Sequence, residues 1–472
     1  MHDLIITGAT VVDPLTGFMG EADVAVEAGV ITEVAPGLSA EPARKALDAS
    51  GLILQPGIID THLHLAPSPL GQRMAVKAGV TTAIEMAGPV EKVLDDMASA
   101  GCGLSVAVLN AILPGRSVPD ANPSKADVDR FIDASLAAGA FGVKLLGGHY
   151  PLTPEASGRL VGRAAERGVY MAWHAGSTAA GSNLRGLEEA VAIADGRPFH
   201  LAHLNAYCRG GVLAAALECA RAAELLEAHP EIITESYLSA RNGCPLAFNG
   251  DAPRSAIVRM NLARLGLPET RAGVRSAVSA GILSIIREEK GVLALKTRAE
   301  GLAALDEAEA AGRAPDESFD GVNPAVSRVF FATQRRADGT FLIDGISTDG
   351  GAIPRNVIVE YGESLVRTSC LTPVEFAAKT SLLPARMLGL ETKGFIAPGA
   401  DADLSLIDPV AQKAVHAFSS GRPILFAGEL VGSGGTVLCT AKGEEAALRR
   451  GLSARVLAGG VPKLERRFAR LR

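Results

Sequence analysis

The sequence predicts a (β/α)8 barrel joined to a small β-sandwich that is assembled from both chain ends. Three observations predict it. Apolar runs of about 5–8 residues recur eight times through the middle of the chain, each followed by an Ala/Leu/Glu/Arg-rich stretch, the pattern of parallel strands joined by crossover helices. A β-rich, turn-punctuated segment stands at each end of that middle. The 472 residues are 48% hydrophobic and only 4% aromatic, with 52 glycines, which suits a large core where helices pack closely on strands.

The N-terminal unit reads as short strands over Asp3–Thr7, Ala9–Val12, Ala22–Glu27, Val30–Val34 and Ala46–Asp48, broken at Gly17, Gly29 and Gly37. The same texture returns in Gly394–Asp408 and Ala414–Thr440. Residues 1–54 with 391–440 are therefore expected to form the sandwich, and 55–390 the barrel. The eight runs lie near 54–61, 80–86, 104–110, 140–146, 169–174, 199–203, 231–237 and 341–348. In a closed barrel the functional residues sit at the C-terminal strand ends. About 100 residues separate runs seven and eight, far more than an ordinary connection. Ala272–Ala311 is helical in composition, so a helical insertion at about 250–335 is expected over or beside the site.

Net charge is −6, which gives no reason to expect nucleic acid as a partner. Residues 441–472 hold nine Lys/Arg against three Asp/Glu and are expected as a solvated, basic helical tail. The six cysteines are scattered, with no C-x-x-C spacing, as in a reducing compartment. Met1-His2-Asp3-Leu4 opens no secretory leader, and no stretch reaches the ~20 apolar residues of a membrane span. A cytoplasmic enzyme is expected, with a small-molecule substrate, neither membrane nor nucleic acid as a partner, and a homo-oligomeric assembly.

His62-Leu63-His64 ends the first run. Residues i and i+2 share a strand face, so both imidazoles aim at one point, as a divalent metal requires. Lys144 ends run four, in Gly142-Val143-Lys144-Leu145-Leu146. Either it snorkels to the barrel mouth, or it carries CO2 as a carbamate, an anionic oxygen ligand able to bridge two metals. The neighbouring histidines favour the carbamate. His174 ends run five and His203 ends run six, in a chain with nine histidines. His200, three residues before His203, is expected to face away from it. Asp349 closes run eight before Gly350-Gly351. On its own it is a turn residue; beside ligands on four other strands it is a ligand and proton shuttle. Asp60 shares the face of the His pair, as a partner of the ligands or as a core acid. Glu85 ends run two without an assigned task.

Gln55-Pro56-Gly57-Ile58-Ile59-Asp60-Thr61-His62-Leu63-His64 resembles the first-strand signature of the amidohydrolase superfamily. Gly79-Val80-Thr81-Thr82 resembles its second-strand signature. Leu383–Leu390 and Pro398–Leu404 resemble its C-terminal helix and the return to the sandwich. The resemblance implies a barrel with an N/C-terminal sandwich and a binuclear site like those of dihydroorotases, hydantoinases and D-aminoacylases. Carried over, His62, His64 and Asp349 resemble one metal set and His174 and His203 the other, with carbamylated Lys144 as the bridge. Hydantoinases usually place a tyrosine five residues after that lysine. Here the position is His149, with Tyr150 next, so oxyanion stabilisation falls to one of these two.

The implied reaction is hydrolysis of an amide-type bond. Two divalent ions, Zn2+ from the His-rich set, activate a bridging water, and Asp349 moves its proton to the leaving nitrogen. A mononuclear deaminase and an esterase using the same site are the alternatives. Arg209, Arg241 with Asn242, and Arg355 follow strand ends and are candidate carboxylate binders, with Arg241 first.

Overall fold

The computed structural model describes residues 1–469. Its central sheet contains the eight expected barrel strands, all parallel and in chain order: β1 (Ile58–His64), β2 (Val80–Glu85), β3 (Cys102–Ile112), β4 (Gly142–Leu146), β5 (Tyr170–His174), β6 (His200–Leu201), β7 (Ile233–Tyr237) and β8 (Gly345–Ser347). Closure is shared along the last strand. Gly345–Ser347 pairs with β7, and two residues later Gly350–Gly351 pairs with Leu63 and His64 of β1. Side chains sort by twos, as a pleated strand requires. Val143, Leu145, Met171 and Trp173 pack outward among the helices. Tyr170 and Ala172 pack in the barrel interior with Ile59, Ile84 and Phe141.

The sandwich sheet joins both chain ends through Ile53–Pro56. This strand pairs parallel with Leu4–Asp13 on one edge and antiparallel with Leu404–Asp408 on the other. Run one is thus two strands, one per domain, bent at Gly57. A Cβ there would stand 2.3 Å from Thr81 Oγ1 and 3.0 Å from Asp403. The Gly57 N–H donates to the Asp403 carbonyl at 2.7 Å, and the buried Asp403 carboxylate pairs with Lys393.

Two expectations at the C-terminal side are corrected. Gly434–Cys439 does not belong to the sandwich. It pairs parallel with Cys102–Ala107 on the lower half of β3, and Ser453–Val456 adds beside it. Nor is 441–472 a solvated helix; residues 470–472 lie outside the described residues. One short helix, Glu444–Leu448, is followed by an extended segment across the N-terminal mouth of the barrel. Leu457, Val461 and Leu464 pack on the interior cluster, and Phe468 stacks on Phe341 with ring centroids 5.9 Å apart. Three of the tail's basic residues are paired with barrel acids: Lys442 with Asp133 (2.9 Å), Arg450 with Asp95 (2.6 Å) and Arg466 with Asp344 (2.6 Å). No helix of the described residues is long and apolar enough to cross a membrane.

The insertion is also not purely helical. Helices Ala256–Arg264, Arg271–Ala280 and Arg298–Ala310 pack on a four-stranded antiparallel sheet, ordered Asn242–Pro245, Asp316–Phe319, Leu283–Glu289, Val292–Lys296. Val258, Leu262, Val274, Val278, Leu283 and Phe319 form its separate core. The hairpin turns at Lys290-Gly291, with φ of 51° and 74°, the two positive values that a two-residue I′ turn demands.

Inside this sheet Cys244 Sγ donates to Glu317 Oε1 at 3.1 Å, while Glu317 Oε2 is buried without a partner. Burial pushes the Glu317 carboxyl up from 4.5 to about 8. The folded state therefore holds this proton more tightly than the unfolded chain does. The associated stability is complete below the ordinary value and is lost as pH rises through the folded one. Denaturation midpoints of the wild type should fall from about pH 5 to about pH 8, and Glu317→Gln should flatten that decline. An unchanged slope in the variant would assign the decline to other groups.

Candidate active site

The C-terminal ends of the strands converge on four imidazoles, one carboxylate and one lysine. His62 and His64 leave β1 on the same side. Their Nε2 atoms stand 3.5 and 3.0 Å from Asp349 Oδ1, and the three residues offer ligand atoms within 4.8 Å of one another. Asp349 reaches them because its backbone is left-handed, with φ 51°. Its N–H donates to the His62 carbonyl at 2.9 Å. A Cβ at Gly351 would lie 2.5 Å from the His64 carbonyl, so the glycine after this turn is sterically required.

His174 and His203 meet on the opposite side of the mouth. His203 Nε2 lies 2.9 Å from His174 Nδ1, and the other nitrogen of His174 is held by Ser182 Oγ at 2.7 Å. The His203 ring also stacks on His62, with centroids 4.9 Å apart. The loop after β4 presses on this pair: a Cβ at Gly148 would stand 2.2 Å from His174 Nε2. Burial pushes His62 down to about 4, and pushes His174 and His203 well below the ordinary value. All three are neutral near pH 7, with lone pairs free to bind a cation.

Lys144 does not snorkel. Its side chain is fully buried, and among the described residues its hydrogen-bond partner is Met86 Sδ at 3.3 Å. Burial pushes the ammonium down to about 8. Asp60 proves to be a clasp between strands, accepting from Thr348 Oγ1 at 2.6 Å, the Thr348 N–H at 3.2 Å and the His62 N–H at 3.1 Å. Glu85 accepts from the backbone of Leu65, Ala87 and Gly88, pinning the loops after β1 and β2.

Glu235, absent from the sequence reading, lies at the centre. From β7 it accepts from His62 Nδ1, the His203 N–H and Ser347 Oγ, each at 2.7 Å. Burial pushes this acid up, but His62, His200 and the bonds it accepts outweigh that and hold it well below the usual range. With the His62 proton fixed on Nδ1, the Nε2 lone pair faces Asp349 and His64. An acid inside the apolar run Ile232-Ile233-Thr234-Glu235 is the same signal that marked Lys144.

His200 also departs from expectation. It sits inside the barrel, with Nδ1 3.0 Å from Tyr170 Oη and Nε2 3.7 Å from Glu235. Strand alternation fails because His203 is left-handed, with φ 37°. Both His149 and Tyr150 are exposed, but His149 lies over His174, ring centroids 5.1 Å apart, whereas Tyr150 lies beneath Arg116.

Two of the arginines are corrected. Arg241 is tied into the insertion by Asp320 at 2.9 Å and Ser284 at 3.2 Å. Arg355 is buried on Asp349 Oδ2 at 2.6 Å, and it donates to Asn242 Oδ1 at 2.9 Å, which occupies Asn242 as well. Burial would push Asp349 up, but Arg355 and His62 hold it well below the carboxylate range. Arg209 instead meets neutral groups, Asn323 Oδ1 at 2.8 Å and Tyr237 Oη at 3.0 Å.

Comparison with known proteins agrees with this geometry. The amidohydrolase family model matches residues 326–438. A dihydroorotase from Pelotomaculum thermopropionicum is 28% identical, aligned over 91% of this chain and 95% of its own. The chain is similar to the amidohydrolase superfamily along nearly its whole length. Its fold is shared with N-acyl-D-glutamate deacylase from Bordetella bronchiseptica, solved with zinc and a phosphonate inhibitor (TM-score 0.65, 20% identity, 92% of this chain and 98% of that one). It is also shared with a D-hydantoinase (TM-score 0.60, 15% identity, 97% and 99%). The donor set fits divalent ions: neutral imidazole nitrogens with a carboxylate on one side, and two facing imidazole nitrogens on the other.

Glu235→Ala would strand three buried donors, each costing about 1–3 kcal/mol, so the melting temperature should fall markedly. Affinity for Zn2+, measured by competition with a chromogenic chelator, should drop about 10–100-fold as His62 loses its orientation. Unaltered affinity would release His62 from control by Glu235.

Proposed function

We propose that this protein is an amidohydrolase that cleaves an amide-type bond in a small carboxylate-bearing substrate, such as an N-acyl amino acid or a carboxylated cyclic amide. Two Zn2+ ions would be held by His62, His64 and Asp349 on one side and His174 and His203 on the other, with carbamylated Lys144 between them. The observation that carries this is the fully buried Lys144, close enough to act electrostatically on His62, His174, His203 and Asp349 at one barrel mouth. When bound, such ions supply Lewis acidity and lower the pKa of water.

The remaining chemistry belongs to the chain. Lys144, with its ammonium pushed down to about 8, offers a partly neutral amine. Its nitrogen adds to the carbon of CO2, loses a proton and becomes an anionic carbamate. Asp349 keeps Oδ1 toward His62 and His64 while Arg355 holds Oδ2. Oδ1 takes the proton of the attacking water and returns it to the leaving nitrogen. His149, over His174, is the donor for the developing oxyanion; Tyr150 is set aside because its ring lies against Arg116 and not against the imidazoles. Arg209 takes the substrate carboxylate, since its partners are neutral and its charge is not cancelled. A single-ion deaminase would leave Lys144 without a task. A cytoplasmic setting and a homo-oligomeric assembly complete the proposal; six unpaired cysteines support the reducing compartment.

Lys144→Ala should lose metal and activity together, and native mass spectrometry of the wild type should show the added mass of one CO2, absent in the variant. Full metal content with normal turnover in Lys144→Ala would remove the carbamate from the mechanism.

Asp349→Asn should fold and keep part of its metal, yet lose turnover by about 10²–10⁴-fold, the usual scale of positioned proton transfer. Screening metal-replete protein against N-acyl-D- and L-amino acids, hydantoins and dihydropyrimidines supplies the substrate for that assay. Turnover near wild type would exclude Asp349 as the proton carrier.

A further inference from the structure

The insertion leaves the barrel through Ser239-Ala240-Arg241 and returns through Asp320-Gly321-Val322-Asn323. The two roots are sewn together by one buried side chain. Asn323 Nδ2 donates to the carbonyls of Ser239 and Arg241 at 3.2 and 3.0 Å, and the Asn323 N–H donates to the Ala240 carbonyl at 3.0 Å. Its Oδ1 accepts from Arg209 Nε at 2.8 Å and Tyr237 Oη at 3.1 Å. Both amide protons and both carbonyl lone pairs are therefore used, which also fixes which atom is oxygen. Arg209 completes a triangle by donating Nη2 to Tyr237 Oη, and the Tyr237 ring stands 6.5 Å from that of His203.

The three arginines at this mouth differ in one respect. Arg241 is paired with Asp320 and Arg355 with Asp349, whereas no carboxylate among the described residues lies within ion-pair distance of Arg209. A guanidinium could be held in this place equally well by an aspartate, which has the shape of asparagine. An aspartate would cancel the charge, and it would also face the carbonyls of Ser239 and Arg241 with an acceptor.

We propose that Asn323 is a specificity-determining positioning residue. Its neutral amide fixes the Arg209 guanidinium against Tyr237 while leaving the positive charge for an anionic group on the substrate. The inference rests on the reading of Arg209 as the carboxylate binder. It adds that the choice of amide over acid at the root of the insertion sets the preference for anions.

The test uses zinc-loaded full-length protein and calorimetric binding of a matched pair, N-acetylalanine and the uncharged N-acetylalaninamide. Wild type is expected to prefer the anion, and Arg209→Met to lose that preference. Asn323→Asp should weaken the anion about tenfold, roughly 1.4 kcal/mol, while the amide changes little. In the Arg209→Met background, Asn323→Asp should add no further anion-specific loss, because the charge it cancels is gone. Asn323→Ser removes the amide that holds Arg209 without adding charge, so it should lower the anion preference toward that of Arg209→Met, and this arm stands even where Asn323→Asp folds poorly. Equal weakening of both ligands by Asn323→Asp, an anion-specific loss that persists with Met at position 209, or a wild-type preference in Asn323→Ser would each overturn the role of Asn323. A wild type without anion preference, or one left intact in Arg209→Met, would instead overturn the reading of Arg209.

Discussion

Much of the active-site mouth depends on one buried carboxylate. Glu235 receives a side-chain proton from β1, a backbone proton beside β6 and a hydroxyl proton from β8. A carboxylate in a dry interior is costly unless each lone pair is used, so it acts as a geometric constraint on everything that points at it. The same constraint reaches Asp349, two residues beyond Ser347, and the stack of His62 on His203. Hydrogen bonds from fixed elements thus do locally what loops alone would do poorly.

Backbone conformation does the rest. His203 and Asp349 both stand in the left-handed region, each two residues past the regular end of its strand. The turn redirects a side chain that strand alternation would have sent elsewhere. For Asp349 the steric cost is contained by Gly351, which admits the His64 carbonyl, and by Arg355, which grips both its carbonyl and its carboxylate. Gly148 does similar service for His174, since only a glycine lets the β4 loop approach that ring.

These details explain what was legible beforehand. The eight strands, the two-ended sandwich and the places of His62, His64, Lys144, His174 and Asp349 follow from periodicity and from the rule that barrel chemistry gathers at strand ends. Partnership across space is another matter. Arg241, Arg355 and Arg209 look alike as residues in loops after strands, yet two face acids contributed by distant or turned segments and one faces an amide. His200 was misplaced because a regular period was extended through a left-handed residue. The insertion was read as helical because its Ala- and Glu-rich helices outweigh one hairpin whose signal is the two-residue turn Lys290-Gly291. The tail was read as solvated because charge was counted without its counterions, which lie on Asp95, Asp133 and Asp344.

The segment across the barrel floor carries a consequence for how the molecule is made. Ile59, Ile84 and Phe141 belong to the first third of the chain, but the residues that cover them from below, Leu457, Val461 and Leu464, are translated long after them. The free edge of lower β3 likewise waits for Gly434–Cys439. A nascent chain can pair its early strands, yet it keeps an uncovered apolar floor and an open strand edge throughout synthesis, both of which invite association with other chains. Chaperone demand during translation, and the severity of late frameshifts, are therefore written into the base of the barrel rather than into its catalytic mouth.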